Sequence, residues 1–362
     1  MDISYKMKKH NYSAGPCILP QEVFEKSAQA ILNFNNSGLS ILEISHRSKD
    51  FVAVMEEARA LALELLGLEG KGYQALFLAG GASMEFLMAP YNLMKENGKA
   101  AYLDSGTWAS AAIKEAKFFG ETVVVGSSKN ENYNHVPKGY SIPADADYFH
   151  CTSNNTIFGT QMKEFPTLDI PMVCDMSSDM FSRNIDFSKF GIIYAGAQKN
   201  MGPAGTALVV VKEEILGKNG RHIPSMLDYA KHIKAESMYN TPPVFPIYAS
   251  LLTLQWLKNL GGIPAIEKIN NAKADLLYTE IDRNPLFKGT AVIEDRSTMN
   301  ACFLLDTPLH TDTFNAMLKE AGIVGLPGHR SVGGYRASMY NALPLESVQV
   351  LVDVMKDLEN KI

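Results

Sequence analysis

The residues best suited to chemistry lie at the ends of three apolar runs. Lys199 follows the run "IIYAGA", although lysine is normally kept in water. Asp175 ends the run "PMVCD", and Gly80 and Gly81 end "YQALFLAGG". In an open α/β sheet, ligands bind at the carboxyl ends of the strands. The three run ends can therefore share one site if the runs are parallel strands.

Each feature alone has an ordinary explanation. Lys199 and Asp175 could form a structural ion pair, and "GGAS" could be a plain strand-to-helix turn. Bound pyridoxal phosphate accounts for all three features together. The lysine, its pKa lowered by burial, would form a Schiff base with the aldehyde, and the aspartate would keep the pyridine nitrogen protonated. A helix N-terminus at Ala82 and Ser83 would hold the phosphate.

Aromatic and basic side chains suit the same site. Trp108, in "DSGTWAS", follows a strand end, so its ring either belongs to the core or lies on the cofactor. The motifs "EISHRSKDF" and "LPGHRSVGGYRAS" contain the basic residues His46, Arg47, His329, Arg330 and Arg336. Charge runs are usually solvated faces, yet arginines among glycine and serine suit bidentate capture of carboxylate or phosphate. The motifs predict a substrate with at least two anionic groups.

Alternating strand and helix patterns position these groups. From about residue 20 to 260, short β-rich runs such as "AAYLDSG", "DYFHCTS" and "TALVVV" alternate with helical stretches such as "FVAVMEEARALALELLG". Near-continuous apolar strands joined by helices predict an α/β fold with a mostly parallel sheet covered on both faces.

The pattern changes after "NTPPVFP". Helices over about 247–260 and 264–283, two strands in "AVIEDRSTMNACFLL" and a helix in "TDTFNAMLKEAG" predict a smaller α+β domain. We place the large domain at 16–262 and the small C-terminal domain at 263–362. The N-terminal segment 8–15 is expected to pack near the small domain.

Composition narrows the function classes. The chain has 362 residues, 46% hydrophobic and 20% charged, as expected for a globular protein with room for two domains. A net charge of −5 without a basic tail argues against nucleic acid, and the apolar runs are too short to span a membrane. Without HExxH or paired histidines, no metal site is expected. Scattered cysteines and a start without an apolar core predict a reduced, cytoplasmic protein.

Several motifs together resemble a known family. The segments "NYSAGPCILP", "EISHRSKDF", "YAGAQKNMGPAG", "MYNTPPVFPIY" and "GHRSVGGYRASMYNALP" resemble the signature segments of the phosphoserine aminotransferases. These are fold-type I, class V pyridoxal-phosphate enzymes, homodimers with the site at the subunit interface. The resemblance implies amino transfer from L-glutamate to 3-phosphohydroxypyruvate, giving O-phosphoserine and 2-oxoglutarate in serine biosynthesis. It leaves open a related four-carbon substrate in pyridoxal phosphate biosynthesis.

The resemblance also implies roles for individual residues. Lys199 matches the Schiff-base lysine, Asp175 the pyridinium partner and Trp108 the ring-stacking tryptophan. The other implied cofactor contacts are Ala82, Ser83, Thr156, Gln198 and, from the partner subunit, Asn240 and Thr241. The implied substrate contacts are His46, Arg47, His329, Arg330 and, for the α-carboxylate, Arg336.

The chain departs from the family pattern near the phosphate site. Some members carry Gly-Arg where this chain has Ala82 and Ser83, and Glu85 stands where related sequences often have glutamine. A carboxylate beside the phosphate cradle would repel the phosphate unless the side chain points away or pairs.

Three alternatives to this function remain from the sequence. The two His-Arg pairs disfavour an alanine–glyoxylate transaminase, whose substrates carry fewer anionic groups. A cysteine desulfurase needs a nucleophilic loop cysteine, whereas the cysteines here lie in strand, apolar or proline-flanked contexts. A non-enzymatic binding protein on the same fold would have no use for Lys199 together with Asp175.

Overall fold

A computed structural model describes residues 9–330 and 332–362. Residue 8 of the predicted N-terminal segment lies outside the described residues. The helices are α1 (Gln21–Leu32), α2 (Lys49–Leu65), α3 (Gly81–Leu93), α4 (Thr107–Ala116), α5 (Tyr229–Lys234), α6 (Val244–Asn259), α7 (Gly262–Arg283), α8 (Thr311–Glu320) and α9 (Leu345–Lys361). The strands are β1 (His10–Asn11), β2 (Tyr73–Leu78), β3 (Lys99–Asp104), β4 (Glu121–Ser127), β5 (Phe149–Thr152), β6 (Met172–Asp175), β7 (Ile192–Gly196), β8 (Ala207–Lys212), β9 (Phe287–Gly289), β10 (Asn300–Leu305), β11 (Ile323–Val324) and β12 (Tyr335–Ser338).

A seven-stranded sheet organises the larger part of the chain, in the order β2-β8-β7-β6-β5-β3-β4. The pairs from β7 to β4 are parallel, and β8 alone runs antiparallel to its neighbours β7 and β2. Strands β5, β6 and β7 are buried along their whole length, as expected where helices cover both faces. The predicted α/β fold with a mostly parallel sheet is confirmed.

Two cores lie on the two faces of this sheet. Helices α2 and α6 contribute Phe51 and Leu251 to one core, and α3 and α4 contribute Phe86 and Ile113 to the other. Because side chains alternate along a strand, consecutive residues of β7 point into different cores. The face beneath α3 and α4 is therefore the one that Tyr194 occupies.

The C-terminal part contains an antiparallel sheet in the order β12-β10-β9. Helices α7, α8 and α9 pack on it through Leu277, Phe314 and Leu351, which share a core with Phe303 of β10. Strand β1 pairs with β11 in parallel, so the N-terminal segment lies beside the C-terminal part. The domain boundary between residues 262 and 263 stays a prediction.

The prediction of two strands in "AVIEDRSTMNACFLL" is wrong for the first strand. Ile293–Asp295 forms a 3₁₀ turn, and β9 lies earlier in the chain. The Val292 N–H donates to the Asn134 carbonyl oxygen and the Val136 N–H donates to the Asp295 carboxylate, both at 2.9 Å. These bonds fasten the segment to residues 134–136 instead of to a neighbouring strand.

None of the helices in the described ranges is both long enough and apolar enough to cross a membrane.

A buried lysine joins α7 to the segment that precedes α9. Lys273 is 0% exposed, and burial lowers its pKa to about 7. Its amine donates hydrogen bonds, at 2.9, 2.8 and 3.1 Å, to the carbonyl oxygens of Met339, Tyr340 and Leu343. The same segment reaches the turn that follows β7, because the Asn341 N–H donates to Asn200 Oδ1 at 3.0 Å. Lys273 therefore stabilises a contact next to Lys199.

We predict that Lys273→Met lowers the free energy of unfolding by about 2–3 kcal/mol, because it leaves buried carbonyl groups without their donor. Urea denaturation of the apoprotein followed by circular dichroism measures this change. Lys268→Met, at an exposed position of the same helix, is the control and should change stability by less than about 0.5 kcal/mol. Equal destabilisation by both substitutions would contradict the role of the buried amine.

Candidate active site

A cavity of about 360 Å³ opens at the carboxyl edge of the large sheet. Its size falls in the range of small-molecule sites. The predicted site residues that line it are Ala82, Ser83, Trp108, Thr156, Asp175, Gln198, Lys199, His329 and Arg336. Among the described residues, no group of histidine, cysteine, aspartate and glutamate side chains could hold a metal ion.

Lys199 lies three residues beyond the end of β7 and points into this cavity. Its amine donates a hydrogen bond to Thr156 Oγ1 at 2.9 Å. Burial lowers the pKa of Lys199 to about 8, with Asp175 opposing and Arg336 adding to that change. An appreciable fraction of the amine is therefore neutral near neutral pH, which ordinary lysines do not achieve.

Asp175 ends β6, the strand beside β7. Burial raises the pKa of its carboxyl, while the charge on Lys199 and hydrogen bonds from Ser177 oppose the rise. The Ser177 N–H donates to Asp175 Oδ1 at 2.9 Å. Lys199 directs its hydrogen bond to Thr156, and Asp175 lines the cavity. The simple structural ion pair is therefore not what these two residues form.

The start of α3 forms an anion cradle. Gly80 and Gly81 have φ values of 102° and 63°, a left-handed region that favours glycine. A Cβ on Gly80 would lie 2.7 Å from the Cβ of Met84. The first turn of a helix leaves backbone N–H groups unpaired, and Ala82 and Ser83 of this turn line the cavity. A phosphate suits this position.

Trp108 lies in the first turn of α4. It is 39% exposed and lines the cavity, so a place at the cavity wall is favoured over one in the core. The loop before it is tightly packed: Asn155 Nδ2 donates to the Ser105 carbonyl oxygen at 2.7 Å. A Cβ on Gly106 would lie 2.4 Å from that nitrogen.

The cavity contains polar atoms that lack protein partners. Thr152 Oγ1 and Arg336 Nε are buried without a hydrogen bond, and both residues line the cavity. Buried polar atoms of this kind normally have partners. A helix N-terminus, a basic amine, a carboxylate and an exposed indole ring around one cavity fit pyridoxal phosphate. Arg336, whose Nε has no partner among the described residues, fits a substrate carboxylate.

Some predicted site residues lie outside the cavity of their own chain. They are His46, Arg47, Asn240, Thr241 and Arg330. Arg47, Arg330 and Thr241 are exposed, and Asn240 lines a separate cavity of about 160 Å³ beside Gly80. A single chain therefore does not bring these residues to Lys199.

Several cavity residues were not predicted from the sequence. They include Phe86, Thr152, Asn154, Ile157, Ser177 and Ser178. Thr152 ends β5 in register with Asp175, so the strand-end argument that found Asp175 applies equally to Thr152. Ser177 acts through its backbone N–H on Asp175, a contact for which the sequence gives no distinct signal.

Comparison with known proteins places the chain in a family. The family described as Aminotransferase class-V matches residues 10–351. The chain belongs to the class-V aminotransferases. A phosphoserine aminotransferase from Flavobacterium psychrophilum is 85% identical over 98% of this chain and 100% of its own length.

Solved structures agree with the fold of this class-V aminotransferase. The phosphoserine aminotransferase from Bacillus circulans subsp. alkalophilus is 42% identical, with a TM-score of 0.95 over 98% of this chain and 99% of that chain. The pyridoxal-phosphate-bound phosphoserine aminotransferase from Trichomonas vaginalis is 36% identical, with a TM-score of 0.91 over 96% and 100%. The predicted fold-type I architecture is confirmed.

The cysteines of this class-V aminotransferase are poor nucleophiles. Cys17 lies near the site, where its thiol donates to the Lys199 carbonyl oxygen at 2.6 Å. Burial raises the pKa of Cys17 and of Cys302 to about 12, whereas a reactive cysteine needs its thiolate. Cys151 and Cys174 are fully buried. These environments argue against desulfurase chemistry.

We predict that the pKa of the Lys199 amine responds in opposite directions to two substitutions. Asp175→Asn removes a negative charge and should lower this pKa, while Arg336→Met removes a positive charge and should raise it. The measurement is the pH dependence of amine labelling in the apoprotein, read by mass spectrometry of the peptide that contains Lys199. Exposed Lys268 is the internal control, and movement of both variants in the same direction would contradict the electrostatic account.

Proposed function

We propose that this class-V aminotransferase is a phosphoserine aminotransferase. It would use pyridoxal phosphate to move the amino group of L-glutamate to 3-phosphohydroxypyruvate, giving O-phosphoserine and 2-oxoglutarate. The observation that carries the proposal is the convergence of Lys199, Asp175, Trp108 and the start of α3 on one cavity that also contains Arg336. The 85% identity to a relative named for this activity supports the choice of substrate.

The cofactor would be held by groups from several elements. The N–H groups of Ala82 and Ser83, with Gln198, would bind its phosphate; Asp175 would bind its pyridine nitrogen, and Trp108 would cover its ring. When bound, the cofactor supplies an aldehyde that captures amines and a ring that accepts electron density.

The chain's own residues would move the proton and orient the substrate. Lys199 Nζ, with its pKa lowered to about 8, would take the proton from the substrate α-carbon and return it as general base and acid. Thr156 orients that amine through its hydroxyl. The Arg336 guanidinium, with a buried nitrogen free of protein partners, would bind the α-carboxylate in bidentate fashion.

A homodimer would complete the site. Asn240, Thr241 and Arg47 are exposed on the chain that carries them. We infer that the partner subunit presents Asn240 and Thr241 to the cofactor phosphate, and His46 and Arg47 to the substrate anion. The substrate phosphate would also be bound by His329 and Arg330.

The direct test is the visible absorption spectrum of the purified protein before and after O-phosphoserine is added. O-phosphoserine and glutamate should each discharge the band of the lysine-bound cofactor, whereas serine should leave it unchanged. If glutamate discharges the band and O-phosphoserine does not, the protein is a transaminase with a different second substrate. Failure of added pyridoxal phosphate to generate the band would overturn the cofactor assignment.

We predict that Lys199→Ala lowers kcat by at least about a thousandfold, because the group that moves the proton is lost. The fold should be intact by circular dichroism, since the side chain lines a cavity instead of a core. A variant with full turnover would eliminate the proposed mechanism.

Subunit complementation tests the shared site. Arg47→Ala and Lys199→Ala homodimers should each be nearly inactive, whereas co-expression of the two chains creates hybrids with one site that keeps both residues. Random pairing makes half of the dimers hybrids, and one of the two sites in each hybrid is intact. Activity should therefore recover to about a quarter of the wild-type value. Assays at equal total protein measure it, with each variant alone as control. No recovery beyond the separate variants would place Arg47 in the cavity of its own chain.

A further inference from the structure

Glu85 is a carboxyl group in the apolar core beneath the proposed phosphate cradle. Its side chain is 0% exposed. Oε2 lies 2.5 Å from the Tyr229 hydroxyl, and Oε1 is buried without a hydrogen-bond partner. The sequence predicts that a carboxylate here must point away from the phosphate or pair with another group, and in the described part of the chain its one partner is the Tyr229 hydroxyl. One neutral donor does not compensate the burial of a full negative charge.

Glu85 also fastens α3 to a neighbouring segment. Asn92 is seven residues further along α3, two helical turns away on the same face. Asn92 Nδ2 donates to the Leu227 carbonyl oxygen at 2.7 Å, and the Tyr229 N–H donates to Asn92 Oδ1 at 3.1 Å. Glu85 and Asn92 therefore bind the same segment, one near each end of the helix. Glu85 is the anchor nearer to Ala82, where the phosphate would bind.

Among the residues that the structure describes, no opposite charge offsets the burial of Glu85. Burial raises the pKa of Glu85 to about 7, and the hydrogen bond from Tyr229 opposes the rise. The titratable groups on the elements packed against α3 are Tyr194 of β7, Lys114 and Glu115 of α4, and Tyr229, Lys231, His232 and Lys234 of α5. Within the described residues, no lysine, arginine or second carboxylate acts on the pKa of Glu85.

We propose that Glu85 is a positioning residue which holds the phosphate-binding end of α3 as a neutral carboxylic acid, and that its ionisation weakens phosphate binding at Ala82 and Ser83. The inference rests on the proposed function, since it takes this helix end as the cofactor phosphate site. A neutral acid costs less to bury than a carboxylate, because the unpartnered Oε1 then carries no share of a full negative charge.

Ionisation would act on the phosphate in two ways. A carboxylate one turn into α3 repels a phosphate at the start of the same helix, and the apolar surroundings screen this repulsion poorly. The ionised carboxylate would also compete with the phosphate for the positive end of the helix dipole, which stabilises a nearby anion. By linkage, a bound phosphate must favour the protonated form of Glu85 to the same extent. Binding near neutral pH is therefore accompanied by proton uptake at Glu85.

The test is the binding of pyridoxamine 5′-phosphate to the apoprotein, measured by titration calorimetry in buffers of different ionisation enthalpy. This probe carries the phosphate but has no aldehyde to react with Lys199. Glu85→Gln keeps the shape of the side chain and removes its titration. We expect the ratio of the wild-type dissociation constant to that of Glu85→Gln to grow about tenfold from pH 6.5 to pH 8.5. At pH 7.5, the wild type should take up more protons per bound ligand than Glu85→Gln.

Tyr229→Phe is the second variant. It removes the hydrogen bond that lowers the pKa of Glu85, so the loss of affinity should begin at a higher pH than in the wild type. A purely structural anchor would weaken binding equally at every pH. A constant ratio of dissociation constants with equal proton uptake would overturn the role of Glu85. Absence of binding at every pH would instead overturn the assignment of this helix end as the cofactor phosphate site.

Discussion

The structure depends on keeping an amine and a carboxylate together in one desolvated cavity. Burial lowers the pKa of Lys199 and raises that of Asp175, and the charge of each residue opposes the change in the other. Each charge therefore offsets part of the cost of burying the other. Parallel pairing of β6 and β7 meets this requirement, because it brings both strand ends to the same edge. The adjacent, parallel placement of β6 and β7 is thus what brings the two opposite charges together.

The remaining elements bring an anion site to that edge. Strand β8 lies between β7 and β2 and runs antiparallel to both, so β2 points the same way as β7. The chain leaves β2 at this edge, turns through two left-handed glycines and enters α3. Helix α3 then packs across β7, with Phe86 against Tyr194. Its N-terminus therefore faces the cavity although its parent strand is two positions away.

Local sequence pattern predicts the parts of the site that depend on strand ends. Asp175, Lys199 and the glycine turn before α3 were found because apolar runs end at polar residues. The contact between Glu85 and Tyr229 joins residues 144 positions apart, and no local periodicity encodes it. Ile293–Asp295 resembles a strand in composition, but a hydrogen bond between the Val136 N–H and the Asp295 carboxylate fastens it to a distant part of the chain instead. Arg47 is predicted as a site residue, yet it is exposed and lies outside the cavity of the chain that carries it, a placement that local sequence pattern does not give.

The C-terminal part and the N-terminal segment also contribute residues to the cavity around Lys199. Ala14 and Gly15 line the cavity, and the Tyr340 hydroxyl donates to the Ala14 carbonyl oxygen at 2.8 Å. Arg336 of β12 lines the same cavity and lies close enough for its charge to lower the pKa of Lys199. A substrate carboxylate bound to Arg336 would offset that charge, so the amine becomes a stronger base when substrate arrives. In the proposed mechanism, the residue that binds the substrate carboxylate would thereby set the basicity of the residue that moves the proton.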